Sequence, residues 1–397
     1  MLRPVLLATA LTLVACSSPP PPMPDIPPDT PPASADKDYE RPLAPGQNAL
    51  RKLAPGEWPN LQAACRALAQ GGFDAAASKS AAWFEKPSAA GFFPVSGIDH
   101  ARAKQSLAEL RRILVGTSDP ARIEAELRAK FDCYISVGCD DAGTVLFTGY
   151  FSPVFRASKQ RRADLAHALY RPPADLKKDP RTGDPIGGYA SRKELEGGRL
   201  KDSDALVWLP TQLDAYIAGV NGSAKLDLAE GGTMYVGYAA HNGHQYVSIR
   251  RELVKDGKIG KRDGLPAIRA YFKAHPDHIA ATLAKNPRYV FFQEYDGGDW
   301  PSGSLGVQVT AYRSLATDKA IFPRAGVVLV ETELPGALPS GPGRPYSQWM
   351  LDQDTGGAIR APGRADIYLG VGDSAESLAG RQAAEGKLYY FFLKAGA

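Results

Sequence analysis

DTGGAIRAPGRADIYLG, residues 354–370, is the stretch that decides the fold. Its paired glycines, Gly356 and Gly357, let backbone approach backbone or a ligand closely, so Asp354 stands at a loop-to-strand transition. In the ADIYLG that follows, alternation puts Asp366 and Tyr368 on one strand face and Ile367 and Leu369 on the other. A carboxyl on a half-buried strand beside an aromatic ring has the setting of a general acid. Both aspartates would serve equally well as acceptors for backbone N–H groups in turns. Spacing alone leaves the two roles open.

Outward from this stretch the same texture continues. TVLFTGYF from residue 144, then ALVWL, KLDLAE, TMYVGYAA, HQYVSI, RYVFFQ, GVVLVETEL and KLYYFFL are short and rich in β-branched and aromatic residues. Gly, Pro, Asn or Asp bounds most of them, as expected for strands. Helical patterns interrupt them chiefly at residues 266–275 and 276–285, with a short one near 374–382. Many short strands with only local helices favour barrels over a doubly wound sheet. Before residue 144 the apolar spacing changes to three and four, which predicts helices over residues 58–70, 99–114 and 119–131. Asp119-Pro120 supplies an N-cap followed by proline in the first turn.

The other end of the chain speaks to compartment. Residues 1–16 combine a positive start, an apolar run too short to span a bilayer, and Leu13-Val14-Ala15-Cys16. That ending resembles the lipobox of bacterial lipoproteins, which implies a lipid on Cys16 and attachment to a membrane. Ser17 after it resembles the sorting pattern for the outer membrane, with the folded part in the periplasm. Residues 17–48 are proline-rich and nearly devoid of large apolar side chains, so they read as a disordered linker. The rest of the 397-residue chain, 44% hydrophobic overall, can bury two modest cores. A net charge of +4 together with export excludes nucleic acid as the expected partner. Cys65, Cys133 and Cys139 would allow one disulfide in an oxidising compartment, with its pairing open. The pairs His241/His244 and His275/His278 lack a metal-site pattern such as HExxH. No GxSxG or SxxK supports a serine nucleophile, and neither metal nor cofactor is expected.

Five segments in order meet a known pattern. Asp318, Asp354 and Asp366, with Phe147–Pro153 (FTGYFSP), residues 238–249 (YAAHNGHQYVSI) and residues 286–292 (NPRYVFF), resemble the membrane-bound lytic murein transglycosylase A family. The resemblance implies a mainly β fold. A six-stranded double-psi β-barrel is expected from residues 49–153 and 292–397, with N-terminal helices. A second β-barrel inserted at residues 154–291 is expected to leave a substrate groove between the two. It also implies cleavage of peptidoglycan glycan strands without water, with Asp366 acting as acid and then base. Asp354 would assist catalysis and Asp318 would be structural, joined to Arg313 or to a backbone turn. Thr148, Tyr150, Gln212 and Tyr238 would contact glycan, with Asn221 a weaker expectation. The rival class is a peptidoglycan-binding envelope lipoprotein on the same barrel that lacks catalysis.

Overall fold

The structure, a computed structural model, describes residues 37–179, 185–260, 263–298, 300–336 and 342–395; the expected signal segment and Cys16 lie outside them. The strands along the chain are β1 (Leu50–Lys52), β2 (Phe131–Ser136), β3 (Val145–Ser152), β4 (Val154–Ala157), β5 (His167–Tyr170), β6 (Ala205–Leu209) and β7 (Ser223–Leu228). They continue as β8 (Thr233–His241), β9 (Val290–Tyr295), β10 (Ser314–Ala316), β11 (Val327–Leu334), β12 (Arg344–Asp354), β13 (Arg364–Val371) and β14 (Ala383–Leu393).

Six of these close on themselves in the order β14-β11-β12-β10-β13-β3 and back to β14. The β10–β12 and β13–β3 pairs are parallel and the other pairs of the ring are antiparallel. Closure depends on β14 changing partners along its length. Its Ala383–Gly386 stretch pairs with β3, the next residues with β11, and Tyr389–Leu393 with β2. At the crossover Gly386 lies so close to β11 that a Cβ there would stand 2.1 Å from the Glu331 carbonyl oxygen. The barrel is filled from one face of its strands, which in register carries Phe147, Val328, Met350, Ile367 and Leu388, all fully buried.

Helices α1 (Gln62–Ala67), α2 (Phe73–Phe84), α3 (His100–Gly116) and α4 (Pro120–Lys130) form a layer beside this barrel. Asp99 and Asp119 cap α3 and α4, accepting from the N–H groups of Arg102 (2.7 Å) and Ala121 (3.0 Å). Helix α2 was not among the expected helices. Alanine lies on both its faces, with Ala76 and Ala77 buried beside Phe73, Ser80, Trp83 and Phe84 and with Ala75 and Ala82 exposed, so it shows little hydrophobic contrast. Those small residues let Gln353 of β12 donate to the Ala76 carbonyl (2.9 Å) and the Ser80 hydroxyl (3.0 Å).

The chain between β3 and β10 makes a second unit. Strands β4-β7-β8-β9 form one sheet and β5-β6 a pair, joined by reciprocal bonds between Ser158 and Trp208. Strand β9 carries this sheet to Tyr295, past the expected boundary at residue 291. Here two more helices, Gln212–Asn221 and Ile249–Lys255, were not expected. The expected strand HQYVSI is instead a loop that leads into the second of them, with Ser248 as its N-cap.

The linker expectation also needs correction at its end. Residues 37–48 lie against the folded body: Tyr39 donates to Glu385 (2.5 Å), Arg41 pairs with Asp141 (2.8 Å), and Leu43 packs on the core. Tyrosine, leucine and paired charges give this piece contacts that the proline tract before it lacks. Cys65, Cys133 and Cys139 are buried free thiols, and burial pushes the Cys65 thiol up to about 11. No helix among the described residues is long and apolar enough to cross a membrane.

Candidate active site

The parallel pairing of β3 with β13 brings residues far apart in sequence into register. Asp366 lies opposite Thr148 and Tyr368 opposite Tyr150. Because both strands alternate, Thr148, Tyr150, Asp366 and Tyr368 present their side chains on one shared face. Thr148 Oγ1 donates to Asp366 Oδ1. The rings of Tyr150 and Tyr368 sit 5.0 Å apart, and Tyr368 is hydrogen-bonded to Ser152 at 3.0 Å.

Asp354 reaches this face from the end of β12. Tyr150 donates to its Oδ2 at 2.9 Å, while the N–H groups of Ser304 (2.7 Å) and Thr355 (2.8 Å) donate to Oδ1. Burial pushes the Asp354 carboxyl above the usual carboxylate range, against the pull of those three donors. Burial beside the two aspartates likewise raises the Tyr150 hydroxyl, which therefore stays a donor.

The second unit supplies the opposite wall. Asn221 accepts from the Phe151 N–H at 3.3 Å, and Ser223 bonds Ser152 at 2.9 Å, so the units touch at the end of β3. Tyr238 is 40% exposed on β8, next to Gly222, which follows Asn221. Tyr246, in the loop that the sequence reading made a strand, lies within electrostatic reach of Asp366. Arg288 packs against Gly357, so close that a Cβ there would meet its Nε at 2.8 Å. The face carrying Asp366 thus looks into the cleft between the two units.

Gln212 does not join this group. It starts the helix Gln212–Asn221, and that helix's length puts it roughly 14 Å from Asn221. There its Nε2 donates to Glu196 (2.9 Å) at the edge of a separate cavity of about 180 Å³ lined also by His167, Tyr170, Arg192 and Tyr289. Asp318 is buried below the site. It accepts from the N–H groups of Ala320 (3.0 Å) and Ala361 (3.1 Å), and Arg360 stands 3.7 Å away. Arg313 is not its partner: that guanidinium donates to Gly71, Ala67 and Trp349 carbonyls and to Gln348, joining α1 to β12. Trp208 and Trp300 are buried in packing.

Two residues near Asp366 escaped the sequence reading. Arg364 donates to Thr148 Oγ1 at 3.1 Å and lies 3.6 Å from Asp366 Oδ1. It precedes Asp366 by two, so strand alternation would have placed it on the same face. Tyr246 carried no such signal. Beneath the site, Asp352 is fully buried, paired with Lys319 and accepting from Thr317 (2.8 Å) and Tyr390 (2.7 Å). Among the described residues no three His, Cys, Asp or Glu side chains converge as a metal site would require.

Residues 146–293 match the MltA specific insert domain and residues 313–392 match the 3D domain. The chain is 31% identical to membrane-bound lytic murein transglycosylase A of Escherichia coli (strain K12) over 252 residues, 63% of this chain and 66% of that protein. A homolog from Buchnera aphidicola subsp. Schizaphis graminum is 29% identical over 246 residues, 61% of this chain and 65% of its own length. These matches span just under two thirds of the relatives. Among solved structures, a membrane-bound lytic murein transglycosylase from Agrobacterium tumefaciens aligns with a TM-score of 0.71 at 22% identity, covering 88% of this chain and 99% of its own. E. coli MltA with bound chitohexaose aligns with a TM-score of 0.69 at 23% identity, covering 92% and 99%. At such identities these two alignments speak for the fold.

Proposed function

The chain belongs to the membrane-bound lytic murein transglycosylase A family, and on that premise we propose that it cleaves peptidoglycan as a lytic transglycosylase. The bond broken is the β-1,4 link between N-acetylmuramic acid and N-acetylglucosamine, and the product ends in 1,6-anhydromuramic acid. The observation that carries this reading is the placement of Asp366. It is held by Thr148 on a barrel face that opens into the cleft between the units, with Asp354 held by Tyr150 beside it. A carboxyl held on a face that looks toward the second unit supports strand cleavage. That a family structure holds chitohexaose supports a glycan strand as the occupant.

In this reading Asp366 first donates its proton to the glycosidic oxygen, and the C1–O bond breaks with its electron pair going to that oxygen. The resulting carboxylate then takes the proton of the C6 hydroxyl as that oxygen bonds C1. The nucleophile is intramolecular, so no second carboxylate is needed to activate water, unlike the usual two-carboxylate glycosidase. One group can serve both steps because the two proton transfers are sequential and opposite. Holding the C6 hydroxyl over C1 contributes through orientation. Asp354 orders the loop at residues 304 and 355 and keeps Tyr150 in place. The barrel, from residues 49–153 and the chain after Tyr295, is the catalytic unit and the insert closes the cleft. A lipid on Cys16 would tether the enzyme near its polymer at the outer membrane.

Digestion of purified peptidoglycan followed by mass spectrometry of the muropeptides tests the assignment. Asp366→Asn, still folded by circular dichroism, should lose anhydro-terminated products by about 10²- to 10⁴-fold, the span of general acid–base catalysis. Full activity in that variant would remove Asp366 from the mechanism, and a folded wild-type chain that binds glycan without cleaving it would favour a binding lipoprotein.

A further inference from the structure

The order of hydrogen bonds around Asp366 assigns a task to Arg364. A guanidinium has donors only, so Thr148 Oγ1 must accept from Arg364 across their 3.1 Å contact. The single hydroxyl proton of Thr148 is then left for Asp366 Oδ1. A proton on Oδ1 would displace the threonine's and would lie beside the guanidinium 3.6 Å away. Oδ2 meets neither obstacle.

We propose that Arg364 is a positioning residue that, through Thr148, reserves Asp366 Oδ1 as an acceptor, so that Oδ2 alone gives the proton and takes it back. This rests on the transglycosylase reading above. In the first step the Oδ2–H bond breaks, the proton goes to the glycosidic oxygen, and the C1–O electron pair leaves with that oxygen. In the second, the C6 hydroxyl proton goes to Oδ2 while the C6 oxygen forms its bond to C1. Protons and electrons balance with no external acid, base or water. The carboxyl has no need to turn over between the steps, because the oxygen that faces the reaction is the same in both.

The setting of Arg364 agrees. Its side chain is 11% exposed, and its Nε is buried with no hydrogen-bond partner among the described residues. Buried donors left unmade are uncommon and unfavourable, and they are found where a group is retained for function. The arginine adds an unmet donor to the barrel wall while completing the bond pattern on one catalytic oxygen.

The test compares the full chain and its variants on purified peptidoglycan at one pH, following the anhydro ends formed. Arg364→Gln should lower kcat by about 10- to 100-fold with KM within about twofold. Thr148→Val should reproduce the kcat loss, Thr148→Ser should restore most of it, and Thr148→Val added to Arg364→Gln should cost little more. Should Arg364→Gln not fold, Arg364→Lys carries the test: it keeps the charge but loses kcat, lacking the planar fork. A loss confined to KM, an unchanged kcat, or independent losses in the double variant would each overturn the proposal while leaving the transglycosylase reading intact. A wild-type chain yielding no anhydro ends would overturn both.

Discussion

Tyr150 and Asp354 show how single side chains set the chemistry of the cleft. The tyrosine hydroxyl is one of three donors on a carboxyl that burial alone would leave strongly disfavoured as an anion. Tyr150→Phe removes one charge-assisted bond, a change of about 1.5–3 kcal/mol, and should lower kcat about tenfold with little change in fold. Steady-state kinetics on peptidoglycan check this; an unchanged kcat would make Asp354 independent of Tyr150. At this scale much of the site was legible. Asp366, Asp354, Thr148 and Tyr150 are brought together from segments that share a recognisable order, although alternation alone could not separate a catalytic aspartate from one in a turn. Asp318 is the contrast, an aspartate of the same trio that accepts backbone N–H groups. Gln212 lies apart because it opens a helix that the sequence pattern did not show, at the end away from Asn221.

The strands of the barrel impose their own tests. Gly386 sits where β14 leaves β3 for β11, with Glu331 backbone, Thr332 and the Phe147 ring against its missing side chain. Gly386→Ala should destabilise by about 3 kcal/mol or more, or prevent barrel closure, because backbone cannot retreat as a side chain would. Chemical denaturation measures it, and a loss below about 0.5 kcal/mol would contradict the closure described. On β11, burial raises the Glu331 carboxyl to about 7 from an ordinary 4.5. The folded state then holds a proton that the unfolded chain releases, so stability should fall as pH rises from about 4.5 to about 7, by up to about 3 kcal/mol. Glu331→Gln should flatten that slope and raise the melting temperature above neutral pH. Period-two patterns with β-branched and aromatic residues made most strands visible beforehand. HQYVSI has the composition of a strand but caps a helix with Ser248, and α2 hides because alanine lies on both its buried and its exposed face. Composition reports burial well and backbone path poorly.

Between the two units Phe151 and Ala375 of the barrel side pack into the insert's apolar core and polar contacts add to them, which no local pattern announces. Arg269 of the insert holds Glu376 of the barrel side through two bonds (2.7 and 3.2 Å) and Asp214 through a third (3.0 Å). Gly264 lies under the Gly380 carbonyl, and Tyr39 and Glu40 reach from the barrel's Glu385 to the insert's Arg251. Arg269→Met, which keeps much of the stem but strands two carboxylates, should lower stability by about 2–4 kcal/mol and lower the cooperativity of unfolding between the units. Calorimetry would show a broader or divided transition; an unchanged single peak would mean that other contacts set the cleft. Whatever its precise width, that cleft must hold the glycan so that C6 oxygen, and not water, reaches C1. Digestion of peptidoglycan in ¹⁸O-labelled water tests this most directly. Transglycosylation by Asp366 predicts anhydro-terminated products with no label at the muramic end. One ¹⁸O incorporated per cleavage would make the reaction a hydrolysis and contradict it.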